Sequence, residues 1–512
     1  MSNLLRFALV LVLVVAGCSG PDGMEDTDPP PNDSGESATT YPSEPARIVI
    51  DEEGDDWDPV PVRHTDPTGD GEQLDLERLW ISHDDEHLFL RFETEERLNL
   101  SENNDLTLYL DTDNDTTTGR RTRGLGAELT WTFGDRSGRV YSDGSSTEIG
   151  HADIGLSPLP TVRATTFEIA LDRSARPGGE ESLFEGDSIR VALDGPDDQL
   201  PDRDGGLGYA FSPTDLAPLP EASLEKPNDG LRLLGFNVLQ GRLFESEARD
   251  SYSRVLDNVD ADIIGFSEVY DRSSQETADR VAALTDTEGW HHAKLGLDLV
   301  AVSRYPIEET HTIPGYEDNE SGAFLLDADE ALGSPLLLIL THPPCCNFDD
   351  AQPSRDVRRQ RVVDGIAAFL RDVKQGEGPF EVPENTPIVV AGDMNFVGDP
   401  QQPKTLRTGE IVNNDTFGPS EAPDWDDTSL HDTNPRQTGA PFHATWVQAD
   451  SDFPPSRLDY VYISDSVLEV ENEYVLRTST LSSDRRSAFG VERTDTETTS
   501  DHLPLVVDVV PR

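Results

Sequence analysis

Lysine is almost absent: only Lys226, Lys294, Lys374 and Lys404 occur in 512 residues, and arginine carries the rest of the positive charge. Against 40 basic residues stand 100 acidic ones, a formal net charge of -60. The acid is spread along the chain rather than gathered in a tail. Such a surface argues against loose binding of a polyanion at low salt. It repels itself in dilute buffer, whereas at molar salt the Debye length falls to about 3 Å and the repulsion is screened. That balance suits a halophilic source, and an ordinary acidic secreted protein shares it. Cysteine is nearly as scarce, with Cys18, Cys345 and Cys346 alone. One adjacent pair excludes a conventional disulfide framework and a zinc site built on paired cysteines. The two residues form either a strained vicinal disulfide or two buried thiols. The apolar run Phe7 to Val15 is too short to span a bilayer.

What is present begins at that run. Arg6 precedes it, and Val15-Ala16-Gly17-Cys18 closes it. The arrangement resembles the lipobox of bacterial lipoproteins. It implies a signal peptide over 1–18, lipidation of Cys18, and an exported protein anchored to a membrane, periplasmic or at the cell surface. Residues 19–45 are rich in Pro, Asp, Ser, Thr and Gly, which bury no core and read as a disordered tether. At 512 residues the chain is long enough for two or three domains with full cores.

Over 46–215, short strand-like runs follow one another with turns between them and no convincing helix. They are Arg47–Ile50, Leu79–Ser82, Leu88–Phe92, Leu106–Leu110, Glu128–Phe133, Thr166–Leu171 and Ile189–Leu193. The spacing predicts an all-β sandwich. Alternate carboxylates at Asp111, Asp113 and Asp115 suit a hard cation such as calcium, and they equally suit a solvated acidic turn. Asp55-Asp56-Trp57, Leu88–Phe92 and Tyr109–Asp113 with Thr118-Gly119 resemble family-nine-type carbohydrate-binding and DOMON-like modules. That resemblance implies a surface glycan as partner, with Trp57, Trp80 and Trp131 either stacking on sugar or packing in the core. Pro218, Pro220 and Pro227 mark 216–229 as a linker.

Over 230–512, apolar β-branched runs alternate in part with helical patterns at Tyr252–Asn258, Thr277–Leu284 and Val357–Val373, predicting an α/β sandwich. Polar residues gather where the runs end: Asn237, Glu268, His342, Asp393, Asn395 and Asp459, with Asp501-His502 just before the last run. In Ile388–Ala391 followed by Gly392-Asp393-Met394-Asn395, alternation puts Asp393 and Asn395 on one side of the chain. Carboxylates and amides without cysteine suit magnesium or manganese, and histidines beside them suit phosphoryl chemistry.

Phe236-Asn237, Ser267-Glu268, Ser303–Pro306, Thr341-His342, Ala391–Asn395, Arg457–Tyr460 and Ser500–Pro504 together resemble the ordered motifs of the endonuclease/exonuclease/phosphatase superfamily. The resemblance implies a four-layered α/β sandwich that hydrolyses phosphoester bonds with Mg2+ or Mn2+. It implies Glu268 as principal metal ligand, helped by Asn237 and Asp501. Asp393 would orient or deprotonate the attacking water, and Asn395 would hold that water or a phosphate oxygen. His502, oriented by Asp459, would contact the scissile phosphate, and His342 would contact phosphate or act as general acid. Arg358 and Gln360 are expected to support the site. The substrate, nucleic acid or a phospholipid or small phosphodiester, is left to the loops. An exported nuclease-type enzyme leads; a phosphatase or a sphingomyelinase-like phospholipase competes with it, and so does an inactive glycan-binding surface lipoprotein.

Overall fold

A computed structural model describes residues 41–142, 144–179, 181–316, 320–346 and 353–512. Cys18, the signal and residues 19–40 of the expected tether lie outside the described residues. Tyr41–Arg512 form one compact unit.

The first half is the expected β-sandwich. Its five-stranded sheet has Leu76–His83, His87–Leu98 and Ala164–Asp172 as neighbours. Its seven-stranded sheet is built around Thr107–Asp111, Leu129–Thr132 and Ser188–Asp194. Every second side chain points inward, so Leu79, Ile81, Leu90 and Phe92 meet Leu108, Leu110, Ile189 and Val191 in one core. Trp57, Trp80 and Trp131 are all buried, so none offers a face to a sugar. The expected strand at Arg47–Ile50 joins neither sheet. Ile50 pairs instead with the far part of the chain, donating its N–H to Pro441 O at 2.9 Å while its carbonyl accepts from His443 N at 3.1 Å.

In the second half, β1 (Leu231–Asn237), α1 (Arg249–Val259), β2 (Ile263–Ser267), α2 (Ser274–Thr285) and β3 (Leu299–Ser303) belong to one layer pair. A second pair holds β4 (Leu336–Thr341), α3 (Arg355–Lys374), β5 (Ile388–Asp393) and β6 (Asp459–Ile463), and β7 (Leu505–Pro511) returns to the first sheet beside β1. Each sheet has six strands, with β1–β2 and β4–β5 parallel. The sheets face each other across Leu233, Ile263 and Leu299 against Phe324, Leu338 and Val389. Tyr252, Val255 and Val281 of α1 and α2 cover the outer face of one sheet, and Val362, Ile366 and Phe369 of α3 that of the other. The result is a four-layered α/β sandwich. Strands buried on both faces read as unbroken apolar runs, which is why the sequence shows them so plainly.

The segment 216–229 has no helix or strand, but it is not free of the core. Leu224 is buried against α1 and its sheet, and its carbonyl accepts from Arg232 Nη1 at 3.2 Å.

Candidate active site

The strand ends converge on Asp393. The bend that presents it needs Gly392, whose φ of 144° lies in the region favouring glycine; a Cβ there would stand 2.0 Å from Thr341 O. Asp393 is 2% exposed. Its Oδ2 accepts from Asn237 Nδ2 at 3.0 Å and faces His342 Nε2 at 3.4 Å and His502 Nε2 at 3.7 Å. Its Oδ1 accepts from the backbone N–H of Asn395 at 3.1 Å. Asn395, at φ 49°, turns its amide away to donate to Pro343 O at 3.1 Å.

Asp459 is the antiparallel partner of Asp393 in register, which fixes the second carboxylate. Its Oδ2 accepts from His502 Nδ1 at 2.8 Å, leaving Nε2 turned toward Asp393. Burial works against a charge on His502, but Asp459 and Asp393 outweigh it and push its pKa up to about 10. Burial likewise works against ionised Asp393, yet the positive His502 and the hydrogen bond from His342 hold its carboxyl below the usual range. Both rings thus lean toward the imidazolium form and Asp393 toward the carboxylate.

Sequence reasoning missed the residue that holds the second ring. Asp298, 4% exposed, accepts from His342 Nδ1 at 2.6 Å and, on the same Oδ2, from the backbone N–H of Glu268 at 2.9 Å. His342, whose charge burial opposes, is raised well above its ordinary value by Asp298 and Asp393. Asp298 sits just before a strand rather than after one, so a search of strand ends passes it by. The only signal was a buried-type run opening on an acid, Asp298-Leu299-Val300.

Glu268 takes φ 64° directly after β2. Its Oε1 accepts from Asn237 Nδ2 at 3.1 Å and its Oε2 from Gln240 N at 2.6 Å. Two carboxylates, Glu268 and Asp393, thus aim at one amide. The amide's own Oδ1 accepts from Leu239 N at 3.0 Å, and two carboxylates beside an amide are oxygen donors of the kind that suits magnesium or manganese. Asp393, Asp459 and His502 also hold ligand atoms within 4.8 Å of one another. Asp501 stands slightly apart in the cleft wall, accepting from Trp446 Nε1 at 3.0 Å.

Arg358 and Gln360, expected to support the site, do not reach it. Arg358 lies over the Tyr316 ring, and Gln360 donates to Asp364 and Thr405. The supporting face of α3 belongs to Arg355 and Arg359, which donate to the carbonyls of Cys345 and of Pro344 and Cys346. Cys345 and Cys346 are free thiols beside His342. Arg457 does not pair with Asp459. Buried at 3% exposure, it joins Asp432 at 2.5 Å to Glu52 of the β-sandwich at 3.5 Å, and its N–H donates to Thr161 Oγ1 at 3.0 Å.

Glu268, Asp298, His342, Asp393, Asp501 and His502 open into a cleft of about 650 Å³. Asn99, Ser101, Glu102 and Thr161 of the sandwich form part of its wall. Arg355 is the one arginine or lysine among the described residues lining it.

In the sandwich, Asp111 is buried and Asp113 is exposed, and both belong to a cluster completed by Glu128. Asp115 turns instead to accept from Thr117 N at 2.8 Å.

Fold and cleft define a class: a four-layered α/β sandwich with carboxylates, amides and imidazoles gathered at its strand ends. Residues 234–502 match the Endonuclease/Exonuclease/phosphatase family, and the chain belongs to that family. Among solved structures it is similar to the human Nocturnin catalytic domain with bound sulfate (18% identity, 55% of this chain and 95% of that one, TM-score 0.34). It is similar also to Sphingomyelinase C from Streptomyces griseocarneus (16%, 55% and 99%, TM-score 0.31) and to D. rerio TDP2 complexed with single strand DNA product (15%, 55% and 99%, TM-score 0.34). No curated protein matches the chain.

Proposed function

We propose that the cleft hydrolyses a phosphodiester bond with the help of magnesium or manganese. The observation that carries this is the pair of buried Asp–His couples, Asp459–His502 and Asp298–His342, closing on Asp393 from two sides. Glu268, Asn237 and Asp393 would hold the cation, with Asp501 nearby. When bound, the metal neutralises charge developing on the phosphoryl oxygens. Asp393, held toward its ionised form, accepts a hydrogen bond from the attacking water and aims it. His502 donates from Nε2 to a non-bridging phosphate oxygen. His342 donates from Nε2 to phosphate or to the departing oxygen. Asp459 and Asp298 hold the two rings in place, so the donors are aimed before the charge develops.

The substrate we favour is a nucleotide phosphodiester presented at an end or in a small molecule, handled by an exported enzyme anchored through Cys18. A lone arginine in the cleft wall gives a long polyanion little to follow, and the sandwich stands along one side. A lipid phosphodiester is the second reading, favoured by Leu297 and Tyr270, which are 60% and 43% exposed at the cleft. Within the sandwich, Asp111, Asp113 and Glu128 form our candidate calcium site. Buried Asp111 Oδ1 and Glu128 Oε1 have no hydrogen-bond partner there.

The test is purified, signal-free protein at molar salt with magnesium, offered small phosphodiesters, short oligonucleotides, plasmid DNA, RNA and sphingomyelin. Cleavage of at least one, lost with EDTA and in Asp393→Ala, is the expected result. Equal cleavage by Asp393→Ala overturns the assignment.

A further inference from the structure

A second acidic cluster in the sandwich shares no residue with the cleft wall or with the Asp111 cluster. Asp66 and Asp70 belong to the loop between His64–Thr65 and Leu76–His83, on one sheet. Asp198 and Asp202 flank the short strand Gln199–Leu200, which pairs with Ser188–Asp194 on the other sheet. Each of the four offers an oxygen, and these oxygens all lie within 4.8 Å of one another. Ligands on opposite sides of a calcium ion stand about 4.8 Å apart, twice a bond of about 2.4 Å, so the spread is that of one coordination sphere.

The buried member carries the argument. Asp66 is 3% exposed, and its Oδ2 is buried with no hydrogen-bond partner. Its Oδ1 faces the His64 imidazole, with Nε2 at 3.2 Å. Around it the chain is already arranged as a frame. Asp75 accepts from Gly69 N at 2.6 Å and Gly71 N at 3.2 Å, holding the loop that carries Asp70. Asp198 accepts from Leu76 N at 2.6 Å and Gln199 N at 2.5 Å, tying one sheet to the other. Backbone donors thus satisfy Asp75 and Asp198, whereas Oδ2 of Asp66 is left without a donor. Four carboxylates, one of them buried with an unpaired oxygen, are repulsive by themselves and complementary to a hard divalent cation.

We propose that Asp66, Asp70, Asp198 and Asp202 bind a calcium ion that staples the two sheets of the sandwich together. The site is independent of the hydrolytic reading and of the Asp111 cluster.

The experiment is calcium titration of signal-free protein at constant molar sodium chloride, so that screening does not change, followed by melting temperature and by calorimetric stoichiometry. Calcium is expected to raise the melting temperature by several degrees, and magnesium to do so far less. Asp70→Asn with Asp202→Asn alters only exposed side chains. It should shrink the shift and remove one bound calcium per chain. Asp66→Asn should melt higher than the parent without calcium, because a buried charge leaves a repulsive cluster, and should respond less to calcium. An unchanged shift and stoichiometry in the double variant overturns the proposal. So does an Asp66→Asn protein that is less stable than the parent without calcium.

Discussion

Two carboxylate–imidazole couples around one aspartate make each member's role separable by substitution. Asp459→Asn leaves the His502 ring its neighbour but removes the charge that keeps it protonated and correctly turned. We expect kcat to fall by roughly 10²–10⁴-fold with KM little changed, as when a general acid–base group is disabled. Asp298→Asn acts on two groups, since one oxygen holds both the His342 ring and the Glu268 backbone. Its loss should lower kcat and also raise the magnesium concentration needed for half activity, whereas Asp459→Asn should leave that concentration alone. Steady-state kinetics across a magnesium series distinguishes them; identical magnesium curves would remove Asp298 from its double role. The contrast also shows what the sequence made readable. Asp393, Asp459 and His502 stood at the ends or edges of apolar runs and meet in the structure. Asp298 precedes its strand and was invisible to that rule, because a side chain at a strand start reaches this edge only where the neighbouring strand runs the other way, as β2 and β3 do.

At the scale of elements, Gly392 decides whether the corner can exist. With φ at 144° and Thr341 O where a Cβ would go, Gly392→Ala requires β4 and β5 to separate. We expect a loss of stability of roughly 1–3 kcal/mol from backbone strain alone. Activity should fall further than stability does, because Asp393 is the next residue. Chemical denaturation and assays on the same preparation measure both; an alanine variant with parental activity would show that the corner tolerates the shift. Strands here were easy to read because burial on both faces leaves continuous apolar runs. Helix α3 was located correctly by its apolar period, but Arg358 and Gln360, expected to support the site, face elsewhere. Arg358 and Arg359 are neighbours in sequence and about 100° apart around a helix, so an error of one position moves a side chain from site to surface. Arg47–Ile50 misled for another reason. It has the composition of a strand, yet its β-bridge partner, Phe442, lies far along the chain, and local patterns carry no information about that.

For the whole molecule, the excess of acid reaches inward. Burial foremost, then Asp51 and Asp56, pushes Glu168 up to about 8, although Trp57 Nε1 donates to it at 2.7 Å. Burial pushes Glu473 to about 8 as well, and Glu52 to about 7. Folded, these groups bind a proton more tightly than they do unfolded. Their contribution to stability is complete below the ordinary glutamate value near 4.5 and is lost as the pH rises through about 8. At fixed salt the melting temperature should therefore fall between pH 5 and pH 8, and Glu168→Gln should make that slope shallower. An unchanged slope would place the proton elsewhere.

The buried guanidinium of Arg457 sets the boundaries of the functional unit. It is shared between Asp432 of one half and Glu52 of the other, and the residue two positions on orients a catalytic ring. A gene fragment beginning near residue 230 would keep every hydrolytic side chain. It would also remove one of that guanidinium's two carboxyl partners and open the trough on one flank. On the proposed function, the smallest transplantable unit in this chain is thus the β-sandwich and the α/β sandwich together, and exchanging one β-sandwich for another would change the wall of the cleft.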